Sequence, residues 1–445
     1  MRKHLVCGHL FDGLSEEFVA DRTIVVEDGR IAYVGPTAGA PEQAPGDEVI
    51  DHGSEHVLPG LIDIHVHLSY GNAQANEDID IFAPPEFRAL RALHGAQAVL
   101  KAGYTSLADP ASTGGCSAGV RDAINAGMFV GPRITTSGRQ VSGRQGLGDW
   151  YPSWIGVPES SVGVLARNAA EAIEEIRLQV KNRVDFIKIA VDGLDRAPST
   201  GELMAGYSQD ELSAAVEESH RLGRKVITHA RGREAVLYSA RAGTDVIFHA
   251  FEMDEEGLDA VLENGSAISP ALTFMVNTME FTQPSDPSYK WRPSSNRRDI
   301  DIACETLTGA RKAGVPFMVG TDSGFATTPY GEWHARELEL MVEYLGFTPG
   351  EALRCTTSGN AELLREGEAV GRLAEGAFAD ITVVGKDPIA NIKSLQERSN
   401  IKAVYLGGEA VDLEPVPEPE PYRWEQSYRQ WNDLYTRERM AELAQ

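Results

Sequence analysis

Eight short apolar runs, separated for the most part by stretches of helical periodicity, constrain this 445-residue chain more than any other feature. They fall at 61–68, 104–108, 133–136, 185–190, 225–229, 245–249, 267–271 and 315–321. Runs this short and this apolar read as strands. Ser208-Gln209-Asp210-Glu211 forms a capping box that opens a helix ending at Gly223. Thr348-Pro349-Gly350-Glu351 opens another, with proline at the first helical position. Eight strands in roughly 300 residues have the size and rhythm of an α/β TIM (β/α)8 barrel. An open doubly wound sheet is the competitor, but no glycine-rich phosphate fingerprint follows the first strand.

The flanks have a different rhythm. Residues 22–27 and 30–35 read as a hairpin about Asp28-Gly29, and 379–384, 401–406 and 409–411 give further strands near the other end. Neither piece can bury a core alone. The simplest organisation is one small composite β-sandwich domain of 1–58 with 366–413, around a barrel of 59–365. From 414 to 445, Pro415, Pro417, Pro419 and Pro421 suggest a stiff linker. Trp424, Tyr428, Trp431 and Tyr435 then recur at i, i+4, i+7 and i+11, as one aromatic face of a helix docked on the barrel or at a subunit contact.

Composition narrows the function classes. The 66 acidic residues exceed the 41 Lys+Arg, giving a formal net charge of −25, which disfavours a nucleic-acid partner. No apolar stretch reaches the ~18 residues needed to span a membrane, and the first residues are too polar for a signal peptide. Cys7, Cys116, Cys304 and Cys355 lie far apart in the sequence, as expected for reduced thiols in a cytoplasmic protein.

Chemistry concentrates at the ends of the predicted strands. In Ile64-His65-Val66-His67-Leu68 the two histidines share one face of an extended segment and can bind one metal ion. Two other strands end in His229 and His249, and the last ends in Asp322. Four histidines and an aspartate at the ends of four barrel strands are hard to explain as packing. Such nitrogen and oxygen ligands favour zinc, with manganese, iron or nickel as alternatives. Lys188 sits inside the apolar run Phe186-Ile187-Lys188-Ile189. It either reaches solvent or pairs with Asp192, or it is a neutral amine that adds carbon dioxide and bridges two metals as a carbamate.

With these residues in view, the chain resembles the amidohydrolase superfamily, in the branch containing prolidase-like and imidazolonepropionase-related hydrolases. The resemblance rests on Leu58-Pro59-Gly60-Leu61-Ile62-Asp63-Ile64-His65-Val66-His67, Asp185-Phe186-Ile187-Lys188, Val226-Ile227-Thr228-His229, Phe248-His249, Gly320-Thr321-Asp322 and Gly376-Ala377-Phe378-Ala379-Asp380-Ile381. It implies two divalent metal ions, zinc by preference. His65, His67 and Asp322 would hold the more buried ion, His229 and His249 the more exposed one, and N6-carboxylated Lys188 would bridge them. A metal-bridging hydroxide would attack the scissile carbonyl while catalytic Asp322 moves the proton to the leaving nitrogen. The family's usual acid before the fourth histidine and glycine after it are Phe248 and Ala250 here.

Substrate groups are expected from the loops beyond the strands: Arg144, Tyr207, Arg231, Tyr330 and His334, with either arginine able to pair with a carboxylate. The expected activity is hydrolysis of a C–N bond in a small molecule, whether amide, dipeptide or N-acyl amino acid, carbamate or urea. The chain is expected to form a homo-oligomer. A mononuclear deaminase or cyclic-imide hydrolase, and a non-catalytic scaffold of the same fold, are the alternatives. They differ in holding one ion and none.

Overall fold

The computed structural model describes residues 2–417, 431 and 433–444. Strands from both ends of the chain form one seven-stranded sheet. Its order is Glu409–Ala410, Ile401–Leu406, Ile381–Val384, Glu48–Pro59, Lys3–Leu10, Val19–Glu27 and Arg30–Pro36. All neighbours are antiparallel except Lys3–Leu10 with Glu48–Pro59. At the expected hairpin both Asp28 and Gly29 have positive φ, 50° and 77°, the conformation that a two-residue primed turn requires. Leu5, Ile24, Val57, Ile381 and Val383 form the apolar core of this sheet.

Gly60 alone separates the sheet from the first strand of the central region, and its N–H donates to the carbonyl of Asp380 (2.8 Å). A side chain here would meet Thr105 at 1.9 Å, so the crossing between the two regions admits only glycine.

The central region holds two parallel sheets. One joins Leu61–Asp63, Tyr104–Asp109 and Arg133–Thr136. The other joins Gly163–Leu165, Gln140–Ser142, Phe186–Ala190, Lys225–Ala230, Val246–His249 and Ala267–Ser269, in that order. Backbone hydrogen bonds connect them at both sides. The N–H of Asp185 donates to Thr136 O (2.8 Å); Met318 N–H donates to Ile268 O (2.9 Å), and Ile64 N–H to Val319 O (3.1 Å). The expected eighth strand is therefore a bridging segment without a regular ladder, paired at Ile268–Phe317 and Val66–Ser323. The expected strand 61–68 is regular only to Asp63, because the Asp63 carboxylate takes the His65 N–H that a neighbouring strand would otherwise use.

Period-two alternation decides which side chains face inward. Along Phe186–Ala190, Ile187 and Ile189 join the core beneath the helices with Val226, Ile247 and Ile268. Phe186 lies in a second cluster with Ile62, Ile227, Phe248 and Met318, and Lys188 shares its parity.

The tail departs from the expected aromatic helix. Trp431 and Tyr435 lie outside any helix, and the last helix is Arg437–Leu443, capped by Thr436. The N–H of Tyr435 donates to Ala326 O (3.1 Å) and its carbonyl accepts from Trp333 Nε1 (2.8 Å), so neither group serves a helical turn. Trp424, Tyr428, Pro419 and Pro421 lie outside the described residues. Among the described residues no helix is long and apolar enough to cross a membrane.

Candidate metal centre

The histidines predicted at strand ends come together in one buried cluster. Nε2 of His65 and Nε2 of His67 are 3.1 Å apart, and they lie 3.4 and 3.0 Å from Asp322 Oδ1. One candidate ligand atom from each of the three fits within 4.8 Å. The ring of His249 packs against His65 (centroids 5.6 Å) and His229 (4.6 Å). Lys188 Nζ stands 3.9 Å above the ring of Phe248, which stacks on His65 at 4.0 Å. All six residues are buried, Lys188 to 1% exposure.

Backbone strain marks two of these positions. His249 has φ 79° and Asp322 has φ 59°, a region that L side chains other than Asn and Asp enter rarely. Ala250 follows at φ 53°, which explains why glycine suits that position in the family pattern. Gly320 lies close against His65, and a Cβ there would come 2.6 Å from His65 Cβ.

Asp63 holds the ligand segments in register. Its Oδ1 accepts from the N–H groups of His65 (2.9 Å) and Thr321 (3.2 Å). Its Oδ2 accepts from Thr321 Oγ1 (2.5 Å) and His334 Nδ1 (2.7 Å). Because Gly331 N–H donates to His334 Nε2 (3.0 Å), the His334 proton must sit on Nδ1. Asn360 ties the same two segments together beneath, with Nδ2 donating to Ile62 O and Val319 O. The sequence assigns neither Asp63 nor Asn360 a role. The only signal is a carboxylate two residues before His65.

Burial keeps the candidate ligand nitrogens from taking up protons. Burial holds the imidazoles of His65, His229 and His249 well below their ordinary range, and neighbouring positive groups add to this. Burial also lowers Lys188 far below the ordinary lysine range, against the pull of Asp322 and with the help of Arg231. Asp322 is pushed up by burial, but its hydrogen bond and charge pairing with His67 win, leaving its carboxyl below the usual value. His65 Nδ1, His67 Nδ1, Lys188 Nζ, His229 Nε2 and His249 Nε2 are buried without a hydrogen-bond partner. Unpartnered buried polar atoms of this kind are costly, and of these five Lys188 Nζ, His229 Nε2 and His249 Nε2 are free to take a ligand, while His65 and His67 meet Asp322 through Nε2. Neutral imidazoles and an amine around an anionic carboxylate are the donor set for divalent metal.

The expected substrate residues separate. Arg231 is half-buried near the cluster, its Nε without a partner, and its N–H is held by Asp192 Oδ2 (2.8 Å). Tyr207 is buried with its hydroxyl unpartnered. Arg144 is exposed. Tyr330 and His334 do not offer free groups to a substrate. The Tyr330 hydroxyl donates to His67 O (2.6 Å) and accepts from Gly71 N–H (2.8 Å), and His334 serves Asp63. Both therefore support the ligand segments from behind. Spacing alone could not distinguish this from a substrate contact.

A family model for the amidohydrolase family matches residues 56–411. Ochratoxinase of Aspergillus niger is 30% identical over 421 residues, spanning 91% of this chain and 85% of that protein. Among solved structures, a Xaa-Pro dipeptidase with methionine bound in its active site has a TM-score of 0.82 at 26% identity, covering 93% of this chain and 100% of that one. The A. niger ochratoxinase structure has a TM-score of 0.80 at 26% identity, covering 92% and 95%. The chain belongs to the amidohydrolase family, and it is a hydrolase acting on carbon–nitrogen bonds.

Proposed function

We propose that this chain is a binuclear metal-dependent hydrolase that cleaves the amide bond of an N-acyl amino acid or dipeptide. The observation that supports the proposal is that His65, His67 and Asp322 bring ligand atoms within 4.8 Å of one another beside the rings of His249 and His229 and the buried Lys188, with Lys188 Nζ, His229 Nε2 and His249 Nε2 left without hydrogen-bond partners. The names of the relatives, an ochratoxinase and a Xaa-Pro dipeptidase, favour this substrate class within the wider range of amides, carbamates and ureas. In this reading the two parallel sheets and the 315–323 segment close into a (β/α)8 barrel of residues 59–365, and the terminal sheet is a separate domain of 1–58 and 366–413.

His65, His67 and Asp322 would hold one ion, His229 and His249 the second, and carboxylated Lys188 would join them. When bound, the ions supply Lewis acidity toward the carbonyl and lower the pKa of a bound water. Asp322, with a carboxylate oxygen at the cluster, would take up the proton of the attacking water and pass it to the leaving nitrogen. Arg231, which makes no ion pair among the described residues, binds a substrate carboxylate beside the cluster. Asp63 fixes where His65 and Asp322 stand.

The test is metal analysis of chain purified with zinc, beside hydrolysis of N-acyl amino acids and Xaa-Pro dipeptides. Two ions per chain and amide turnover are expected. A single ion with deaminase activity would replace this reading by the mononuclear one, and a metal-free, inactive chain would leave a scaffold. In Asp63→Asn the carboxylamide presents a donor where Thr321 and His334 already donate. Metal affinity, read by competition with a chelator, is expected to fall by ~10–100-fold while the circular dichroism spectrum is unchanged.

A further inference from the structure

A cavity of about 460 Å³ lies where the strands that carry Lys188 and His229 begin, lined by residues 183–185 and 223–225. The two strands run parallel, with Phe186 beside Lys225 and Ala190 beside His229. Lys225 therefore stands four residues, about 13 Å, before His229, and the cavity is at the end of the strands remote from the histidine cluster. Five of its lining residues are cationic, Arg121, Arg183, Arg224, Lys225 and Arg365, against two carboxylates, Asp122 and Asp185. This excess runs against the composition of the chain, in which 66 acidic residues outnumber 41 Lys+Arg.

The carboxylates occupy only some of these cations. Asp185 Oδ2 accepts from Arg121 Nη1 (2.7 Å) and from the N–H of Thr136 (2.9 Å). Asp122 accepts from Arg121 Nε (3.0 Å) and Arg183 Nη2 (2.7 Å). Arg365 reaches Glu366 at 3.5 Å. Arg224 and Lys225 make no ion pair among the described residues. Arg224 Nη1 donates to Gly223 O (3.2 Å), its Nε is buried without a partner, and the Lys225 ammonium donates to the carbonyl of Glu362. The helices Ala169–Lys181 and Gln209–Arg221 end just before Arg183 and Gly223, and their last carbonyls attract cations to this end of the sheet. Two helix ends amount to roughly one negative charge, so with Glu366 counted a positive excess remains.

We propose that this cavity binds a phosphorylated small molecule, with its phosphate held by Arg224 and Lys225 and its organic part resting on Val184, Leu363 and Leu364. A guanidinium presents paired N–H donors in the geometry of phosphate oxygens, and the ammonium adds a compact charge beside it. The three apolar side chains lie in the same lining and offer contact to a group attached to the phosphate. The volume falls in the range of small-molecule sites and exceeds what inorganic phosphate alone fills. This site is separate from the metal centre and does not depend on the hydrolase reading.

The test is isothermal titration calorimetry of the full chain with phenyl phosphate and with inorganic phosphate, at constant ionic strength, in wild type, Arg224→Gln, Arg224→Lys and Lys225→Gln. Wild type is expected to bind phenyl phosphate more tightly than inorganic phosphate. Arg224→Gln is expected to raise Kd for phenyl phosphate at least ~10-fold, the loss of a charge-assisted hydrogen bond. Arg224→Lys keeps the charge and loses the fork, so it should fall between Arg224→Gln and wild type. Lys225 is exposed, so Lys225→Gln leaves the fold intact and should weaken binding even if the Arg224 variants do not fold. No binding to wild type would overturn the proposal and leave these cations to the helix carbonyls. Equal binding in wild type and variants would also overturn it, since the phosphate would then sit elsewhere, the metal centre included. Inorganic phosphate binding as tightly as phenyl phosphate would overturn the role of the apolar lining.

Discussion

Lys188→Ala is expected to abolish turnover and to lower the metal content of the purified chain. Lys188 is a buried amine without a hydrogen-bond partner, lying over Phe248 within the histidine cluster. Burial and the Arg231 charge pull that amine toward its neutral form against the pull of Asp322, and only the neutral form can add carbon dioxide. The carbamate would supply the anionic oxygens that join the two halves of the donor set. Alanine removes those oxygens and leaves a void next to Phe248. Short carboxylates such as formate or acetate fit such a void, so their addition should restore part of the activity. Metal analysis, kinetics with and without formate, and a carbamate signal from wild-type protein supplied with 13C-bicarbonate check the three parts. A variant that keeps both ions and full turnover would refute the bridging role.

Asp322→Asn should retain much of its metal while kcat falls by at least ~10²-fold, the lower end of general acid–base contributions. The substitution suits the backbone, since Asn is among the few residues that tolerate the φ of 59° found here. It keeps one ligand oxygen near His65 and His67 but cannot take up a proton in the working range. KM should move less than kcat, because the groups that hold the carbonyl and carboxylate of the substrate are untouched. Metal analysis beside steady-state kinetics separates the cases. A metal-loaded variant with near-normal turnover would reduce Asp322 to a ligand, and a metal-free variant would show that ligation dominates.

The candidate donor set was legible because strand chemistry is local. A period of two places His65 with His67 and Lys188 with Phe186, and an apolar run ending in a histidine needs no distant information to be noticed. The paired terminal strands could be read for the same reason, down to the Asp28-Gly29 turn. Other features depend on contacts across hundreds of positions. Asp63 meets Thr321 and His334 258 and 271 residues away, and no periodicity announces a partner at that distance. Tyr330 and His334 lie in the loop where substrate contacts were expected, but their polar atoms turn toward the ligand segments.

The tail shows the same division. Spacing put Trp431 and Tyr435 on one helical face, whereas hydrogen bonds to Ala326 O and from Trp333 Nε1 claim the Tyr435 backbone, which stands outside any helix. What the sequence by itself determined is therefore the inventory of candidate ligands and the alternation that groups them, since both follow from backbone geometry over a few residues. Only the tertiary structure decided which buried polar groups face the shared site and which brace it from behind. That choice depends on which partners folding brings within hydrogen-bond reach.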